Sequence, residues 1–150
     1  MNNVSNKGVY YIIIKLFQNH YIKIGCLGTF SFPAGFYVYA GSSQNNLERR
    51  IERHLRREKK FHWHIDYLLH YGKVISVQKY SGEKSAECLL NCKIGNIRNA
   101  KIPAKGFGSS DCTCVSHLHF FLDDPEPMIS KFKANVSSAK TYYKKIWNLG

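Results

Sequence analysis

Acidic residues are scarce. The chain carries 10 Asp+Glu against 22 Lys+Arg, for a formal charge of +12 and a sequence pI near 9.6. So few carboxylates exclude an acidic, self-solvating protein and point to a polyanionic partner. Long apolar runs are also missing. The run Val9 to Ile14 is closed by Lys15, far short of the roughly 20 residues a membrane span requires. It lacks the small-residue cleavage site of a signal peptide, so the expected location is cytoplasmic. Cysteines are few and odd in number, five in all: Cys26, Cys88, Cys92, Cys112 and Cys114. An odd count without an export signal argues for reduced thiols over a disulfide framework. No internal repeat or low-complexity tract is present. What is there is apolar enough to fold: 44 % hydrophobic and 14 % aromatic residues in 150 fit one domain with one core and exclude a disordered basic tail.

The pattern along the chain is mixed α and β. Residues 8–16 (GVYYIIIKL) and 36–40 (FYVYA) are β-branched and aromatic, and 21–26 (YIKIGC) alternates, so 8–41 reads as an antiparallel meander. The period then changes. Asn46 is a plausible N-cap, and Leu47, Ile51 and Leu55 recur every four residues, predicting a helix over 46–59. At about 100° per residue from Leu47, Arg50 and His54 fall near −60° and −20° and border the apolar stripe. Arg49, Arg53, Arg56 and Lys60 fall on the opposite face, which reads as a solvated basic surface. Residues 63–71 suggest a second helix, 73–80 a strand, and 84–98 a third helix with Ala86, Leu89, Leu90, Ile94 and Ile97 inward and Glu87 at the edge of the stripe. A Gly/Ser turn and a strand-like run occupy 105–122. Pro125 and Pro127 then precede a Lys-rich segment read as helical.

In order, Gly8-Val9-Tyr10 on a strand, Tyr39-Ala40-Gly41 ending another, Arg50 and His54 on the following helix and a Glu on a later one resemble a GIY-YIG nuclease. The runs FPAGFYVYAGSS, RIERHLRR, KKFHWHIDYLL and GFGSSDCTCVSHL are similar to the Uri-type endonuclease branch of that superfamily, over roughly residues 8–122. The resemblance implies an α+β fold: a small central three-stranded antiparallel sheet, or a slightly extended one, flanked by helices. It also implies a metal-dependent endonuclease acting on DNA, with one Mg²⁺ or Mn²⁺. Carried over by position, Tyr10 and Tyr39 are the two motif tyrosines, Arg50 the helix arginine, His54 the residue one turn later, and Glu87 the metal-binding carboxylate. Arg49 rivals Arg50 by distance from Tyr39, and the angular placement favours Arg50. The family's late asparagine has no evident counterpart; Ser109, Ser110 or Asp111 stands near its place.

These residue types suit phosphodiester hydrolysis, which needs an activated water, a clamp on the phosphoryl oxygens and help for the leaving oxygen. A hard divalent ion takes one carboxylate plus water and phosphate, and a guanidinium matches phosphate with two donors. Tyr10 is the expected base, although a phenol of pKa about 10 needs nearby cations or a relay through His54 or His64. Gly41, Ser42, Arg49, Arg53, Arg57 and His64 are the expected substrate contacts. Gly41-Ser42-Ser43 reads equally as a phosphate cradle and as a turn with capping hydroxyls. Tyr11 and Tyr37 read as packing or surface residues, and Trp63 and Trp147 as anchors. Glu48, Glu52 and Glu58 read as partners of basic residues on their own helix, and Asp66 as a partner of His62 or His70. Cys112, Cys114, His117 and His119 offer two ligands from each pair, although C-x-C-x-x-H-x-H departs from the usual zinc spacings and strand packing is the favoured reading. The alternatives to a nuclease are an inactive nucleic-acid-binding module of the same fold and a structural zinc protein.

Overall fold

The computed structural model describes residues 6–132 and the backbone of 141–145. Its centre is strand β1 (Gly8–Leu16), buried along almost its whole length because it is covered on both faces. Alternation sorts its side chains. Tyr10, Ile12, Ile14 and Leu16 enter one apolar cluster, while Val9, Tyr11 and Ile13 enter another. Antiparallel neighbours flank it. On one side lies β4 (Gly35–Ser43), which carries β6 (Leu118–Phe121) on its outer edge; on the other lies β5 (Lys73–Ser81), which carries β7 (Thr141–Lys145). The order is β6-β4-β1-β5-β7.

The segment between β1 and β4 is not part of a meander. β1 pairs directly with β4, from Gly8↔Ser43 to Leu16↔Gly35, and the intervening chain folds as its own hairpin of β2 (His20–Ile24) and β3 (Gly28–Phe32). Residues 28–32 alternate weakly and contain Gly and Ser, which masked β3 in the sequence. The hairpin packs Ile22, Ile24 and Phe32 onto the Tyr10 face, beside α1 (Leu47–Leu55) and α2 (His64–Leu69). The opposite face is covered by α3 (Ser85–Gly95), through Leu90 and Ile94, and by α4 (Glu126–Ile129), through Ile129.

Several expected boundaries move. α1 stops at Leu55, because Lys59 folds back and its Nζ donates to the carbonyls of Arg53 and His54 at 3.0 and 2.9 Å, satisfying the helix end. Asn46 stands at the N-cap without a side-chain cap bond. Leu89 is 46 % exposed and not inward, which fits the weak amphipathic pattern of α3. Of the run 105–122 only Leu118–Phe121 is strand, since Gly106 and Gly108 adopt φ of +82° and +68° and turn the chain. The central antiparallel sheet is extended from three strands to five by the edge strands β6 and β7, and the basic C-terminal segment, expected as helix, supplies β7; its flanks and Trp147 lie outside the described residues. Among the described residues no helix is long and apolar enough to cross a membrane.

Candidate functional site

A cleft of about 680 Å³ opens at the C-terminal end of β4, where α1 from one face of the sheet and α3 from the other approach the same backbone. Ser42 joins the two walls. Arg50 Nη1 donates to the Ser42 carbonyl at 3.0 Å, and the Ser42 hydroxyl donates to Glu87 Oε1. The other carboxylate oxygen of Glu87 lies 3.0 Å from His117 Nδ1. Arg50, Glu87, Tyr39, Gly41, Ser42, Arg49, Arg53 and His64 all line the cleft. Arg57 does not; it lies in a second depression, formed by the end of α1 and the residues preceding β5.

Beneath the cleft three rings interlock. Tyr10 Oη is 2.7 Å from His54 Nε2, and the Tyr39 ring centroid lies 6.4 Å from Tyr10 and 6.1 Å from His54. β1 and β4 bring the tyrosines to one face, because Ile12 pairs with Tyr39 and Tyr10 with Gly41. Tyr10 is fully buried and does not line the cleft, whereas Tyr39 does. Burial, reinforced by Tyr39, raises the Tyr10 pKa well above a phenol's ordinary value, and Arg50 only partly opposes this. Of the two routes by which Tyr10 could serve as base, lowering by nearby cations is outweighed by desolvation. Tyr39 is raised as well, by burial and then by Glu87. Burial, with Lys59 beside it, pulls His54 down to about 3. His54 is thus neutral and shares a hydrogen bond with the Tyr10 hydroxyl through Nε2.

The basic face of α1 divides. Arg49 is exposed at the cleft rim, as its angular position requires. Arg53 is not solvated: its guanidinium makes two 3.0 Å bonds to the carboxylate of Asp66, which is wholly buried. Asp66 also accepts the backbone N–H groups of His62 and Trp63 at 2.7 and 2.9 Å, so it caps α2 and does not pair with His62 or His70 side chains. The guanidiniums of Arg50 and Arg53 each stack 4.4 Å from the Trp63 ring, which holds Arg50 at the cleft wall. His64 Nδ1 accepts the Gly108 N–H at 2.9 Å, tying the late Gly/Ser turn to α2. Glu48 pairs with Lys79 on β5 and not along its own helix. Tyr11 and Tyr37 are fully buried packing residues.

Where the family's late asparagine was sought, Ser110 and Asp111 line the cleft, and Asp111 is tied to Lys84 at 2.9 Å. Cys112, Cys114 and His117 precede β6 and are not packed in a strand; Cys88 of α3 joins them, while His119 of β6 points toward the end of α3, its Nε2 lying against Gly95. Cys88 is remote in sequence from Cys112 and Cys114, and His117 from Glu87, so neither association is visible from sequence spacing.

The chain belongs to the family described as the domain of unknown function DUF123, whose model matches residues 9–140. No curated protein and no solved structure matches it.

Proposed function

We propose that the protein is a divalent-metal-dependent endonuclease of the GIY-YIG type, Uri-like branch, that hydrolyses phosphodiester bonds of DNA in the cytoplasm. One observation carries the reading: Arg50 and Glu87 both bind Ser42, from opposite walls of the cleft, in a chain of charge +12. A guanidinium facing a carboxylate across an open cleft suits a phosphate shared between a fixed cation and a carboxylate-held one.

The donor set fits a hard divalent ion. Glu87 is partly buried, with 12 % of its side chain exposed, and its neighbour Ser42 adds a hydroxyl oxygen. When bound at Glu87, Mg²⁺ or Mn²⁺ would neutralise phosphate and leaving-oxygen charge. The chain's own residues do the rest. Arg50, pinned by Trp63 and the Ser42 carbonyl, clamps a phosphoryl oxygen. Tyr39 presents its hydroxyl edge to the cleft and orients the attacking water. Tyr10, held by His54, fixes the Tyr39 ring. Arg49 and His64 hold flanking phosphates at the rim.

The second reading is an inactive nucleic-acid-binding module of the same fold. It is favoured by the complete burial and raised pKa of Tyr10, which make a poor base. Incubating the purified full chain with Mg²⁺ or Mn²⁺ and labelled single-stranded, duplex and branched DNA and RNA separates the two. The nuclease reading expects cleavage of DNA that Glu87→Gln lowers by about 100-fold or more while leaving binding intact. Binding without cleavage in every metal and substrate combination establishes the second reading instead.

A further inference from the structure

Three thiols and one imidazole converge behind the Glu87 wall of the cleft. Cys88 comes from α3, Cys112 and Cys114 from the irregular segment before β6, and His117 from its end; the ligand atoms of all four lie within 4.8 Å of one another. The Cys112 Sγ to His117 Nε2 separation is 3.2 Å. Tetrahedral zinc, with bonds of about 2.3 Å to sulfur and about 2.0 Å to nitrogen, holds neighbouring ligand atoms roughly 3.5–3.8 Å apart. The cluster is therefore already at the scale of such a site, and small side-chain rotations close it.

The imidazole is oriented for ligation. His117 Nδ1 lies 3.1 Å from the Ala40 carbonyl and 3.0 Å from Glu87 Oε2, both acceptors, so the ring proton sits on Nδ1 and the Nε2 lone pair faces the thiols. A ligand histidine whose other nitrogen donates to a carbonyl or carboxylate is the usual outer arrangement of a protein zinc site. The residue is completely buried, so its direction is set by packing. The surrounding backbone also calls for a fastener. Residues 109–117 form neither helix nor strand, and their strong backbone bonds gather at the C-terminal end: Gly106 N–H to Val115 O at 2.7 Å, the Asn91 side chain to Ser116 O at 2.8 Å, His117 N–H to Phe107 O at 2.8 Å and Ala40 N–H to His117 O at 3.1 Å, whereas the part around the two cysteines has only the long Ser109 N–H to Gly106 O and Cys112 N–H to Ser109 O bonds, both 3.4 Å. A disulfide would join two of the thiols and leave the third and the imidazole without purpose.

We propose that Cys88, Cys112, Cys114 and His117 bind one structural zinc ion that pins the 109–117 segment to α3. Three sulfurs and one nitrogen complete a tetrahedron, leaving no open position for substrate, so the ion is structural. The proposal is independent of whether the cleft cleaves DNA. It has one consequence for that cleft: the ion fixes His117, and His117 fixes Glu87 Oε2.

The test uses the full chain expressed in zinc-supplemented medium and purified under reductant without chelator. Elemental analysis is expected to give one zinc per chain, retained in His119→Ala and lost in Cys88→Ser, and a strong chelator should lower the melting temperature of the wild type and of His119→Ala but not of Cys88→Ser. Because Cys88→Ser could fail to fold, the wild-type apoprotein is also titrated with Co²⁺, where a thiolate-to-cobalt charge-transfer band saturating at one equivalent and displaced by Zn²⁺ is expected. No zinc in the purified protein together with no such band overturns the proposal. So does full zinc retention in a folded Cys88→Ser, or a disulfide within the Cys88, Cys112 and Cys114 set under reductant.

Discussion

The Tyr10 hydroxyl is held 2.7 Å from His54 Nε2 inside the protein, and neither group is exposed to the cleft. Burial acts in opposite directions on the two. It raises the phenol and lowers the imidazole, so both are neutral near pH 7. His54 Nδ1 has no partner among the described residues. An unpartnered buried polar atom costs stability.

His54 makes stability depend on pH. Its folded pKa of about 3 lies below the ordinary 6.5, so the unfolded chain binds the proton first. The stabilisation is complete above pH 6.5 and is lost as pH falls towards 3, with a limiting slope of about 1.4 kcal/mol per pH unit. His119, lowered to about 4 by burial, adds a slope of the same sign. Urea unfolding between pH 4.5 and 7 should therefore show stability rising with pH in the wild type, and a slope smaller by up to one proton in His54→Gln. Identical slopes would show that His54 titrates normally in the folded protein.

Arg50 and Arg49 should separate by kind of defect. Arg50 reaches the Ser42 carbonyl and stacks on Trp63, whereas Arg49 stands exposed at the rim. Arg50→Ala is expected to lower the cleavage rate constant by about 100-fold with modest loss of binding. Arg49→Ala should leave the rate at saturation near wild type, weaken DNA binding and reduce the slope of log K against log salt by about one. Single-turnover kinetics and a salt titration measure both, and equal catalytic loss in the two variants would remove the distinction.

The sequence was most legible where local pattern decides. The strands around Tyr10, Tyr39 and Val77, the helix from Leu47 and the placement of Arg50 over Arg49 follow from period and angle, because an amphipathic face must meet the sheet. Long-range pairing was not legible. That β1 skips the β2–β3 hairpin to pair with β4, that Arg53 turns back to a buried Asp66, and that Cys88 meets Cys112 each depend on which distant backbone lies alongside. The direction of the Tyr10 pKa was not legible for the same reason: only the depth of burial shows that desolvation outweighs the nearby Arg50.

Gly41 should resist substitution. A Cβ there would lie 2.5 Å from Tyr10 Oη, in a strand position hemmed by the ring beneath it. Gly41→Ala must displace the Tyr10 hydroxyl from His54, and overpacking of this kind costs about 1–3 kcal/mol. Denaturant unfolding checks the stability change. Because the ring carbon Cζ would lie nearly as close, at 2.6 Å, Tyr10→Phe should give little relief, whereas in the double variant Gly41→Ala, Tyr10→Leu, which removes the ring, the added cost of the alanine should fall; an unchanged cost there would place the clash elsewhere.

The Asp66–Arg53 pair should contribute more than any surface ion pair of the chain. Burial by itself would raise the Asp66 carboxyl, but the Arg53 hydrogen bonds and the N–H groups of Trp63 and His62 outweigh it and hold the pKa below the ordinary carboxylate range. A depressed folded pKa means the stabilisation is present above about pH 4 and is lost as pH falls through the folded value. Removing the carboxylate leaves the Arg53 charge, 21 % exposed, with only the Lys60 carbonyl and the Trp63 ring beside it, and uncaps α2. Asp66→Ala is therefore expected to cost about 3–5 kcal/mol at pH 7, and the gap to wild type should narrow below pH 4. Because Arg53 and Arg50 share the Trp63 ring, the same variant should also loosen Arg50 and weaken cleavage more than its residual fold would suggest. Arg53→Ala, which removes the stacking partner while leaving the Asp66 cap bonds in place, should reproduce the catalytic loss with a smaller loss of helix α2. Equal stability of Asp66→Ala and wild type at pH 7 would mean that the pair is worth no more than its desolvation.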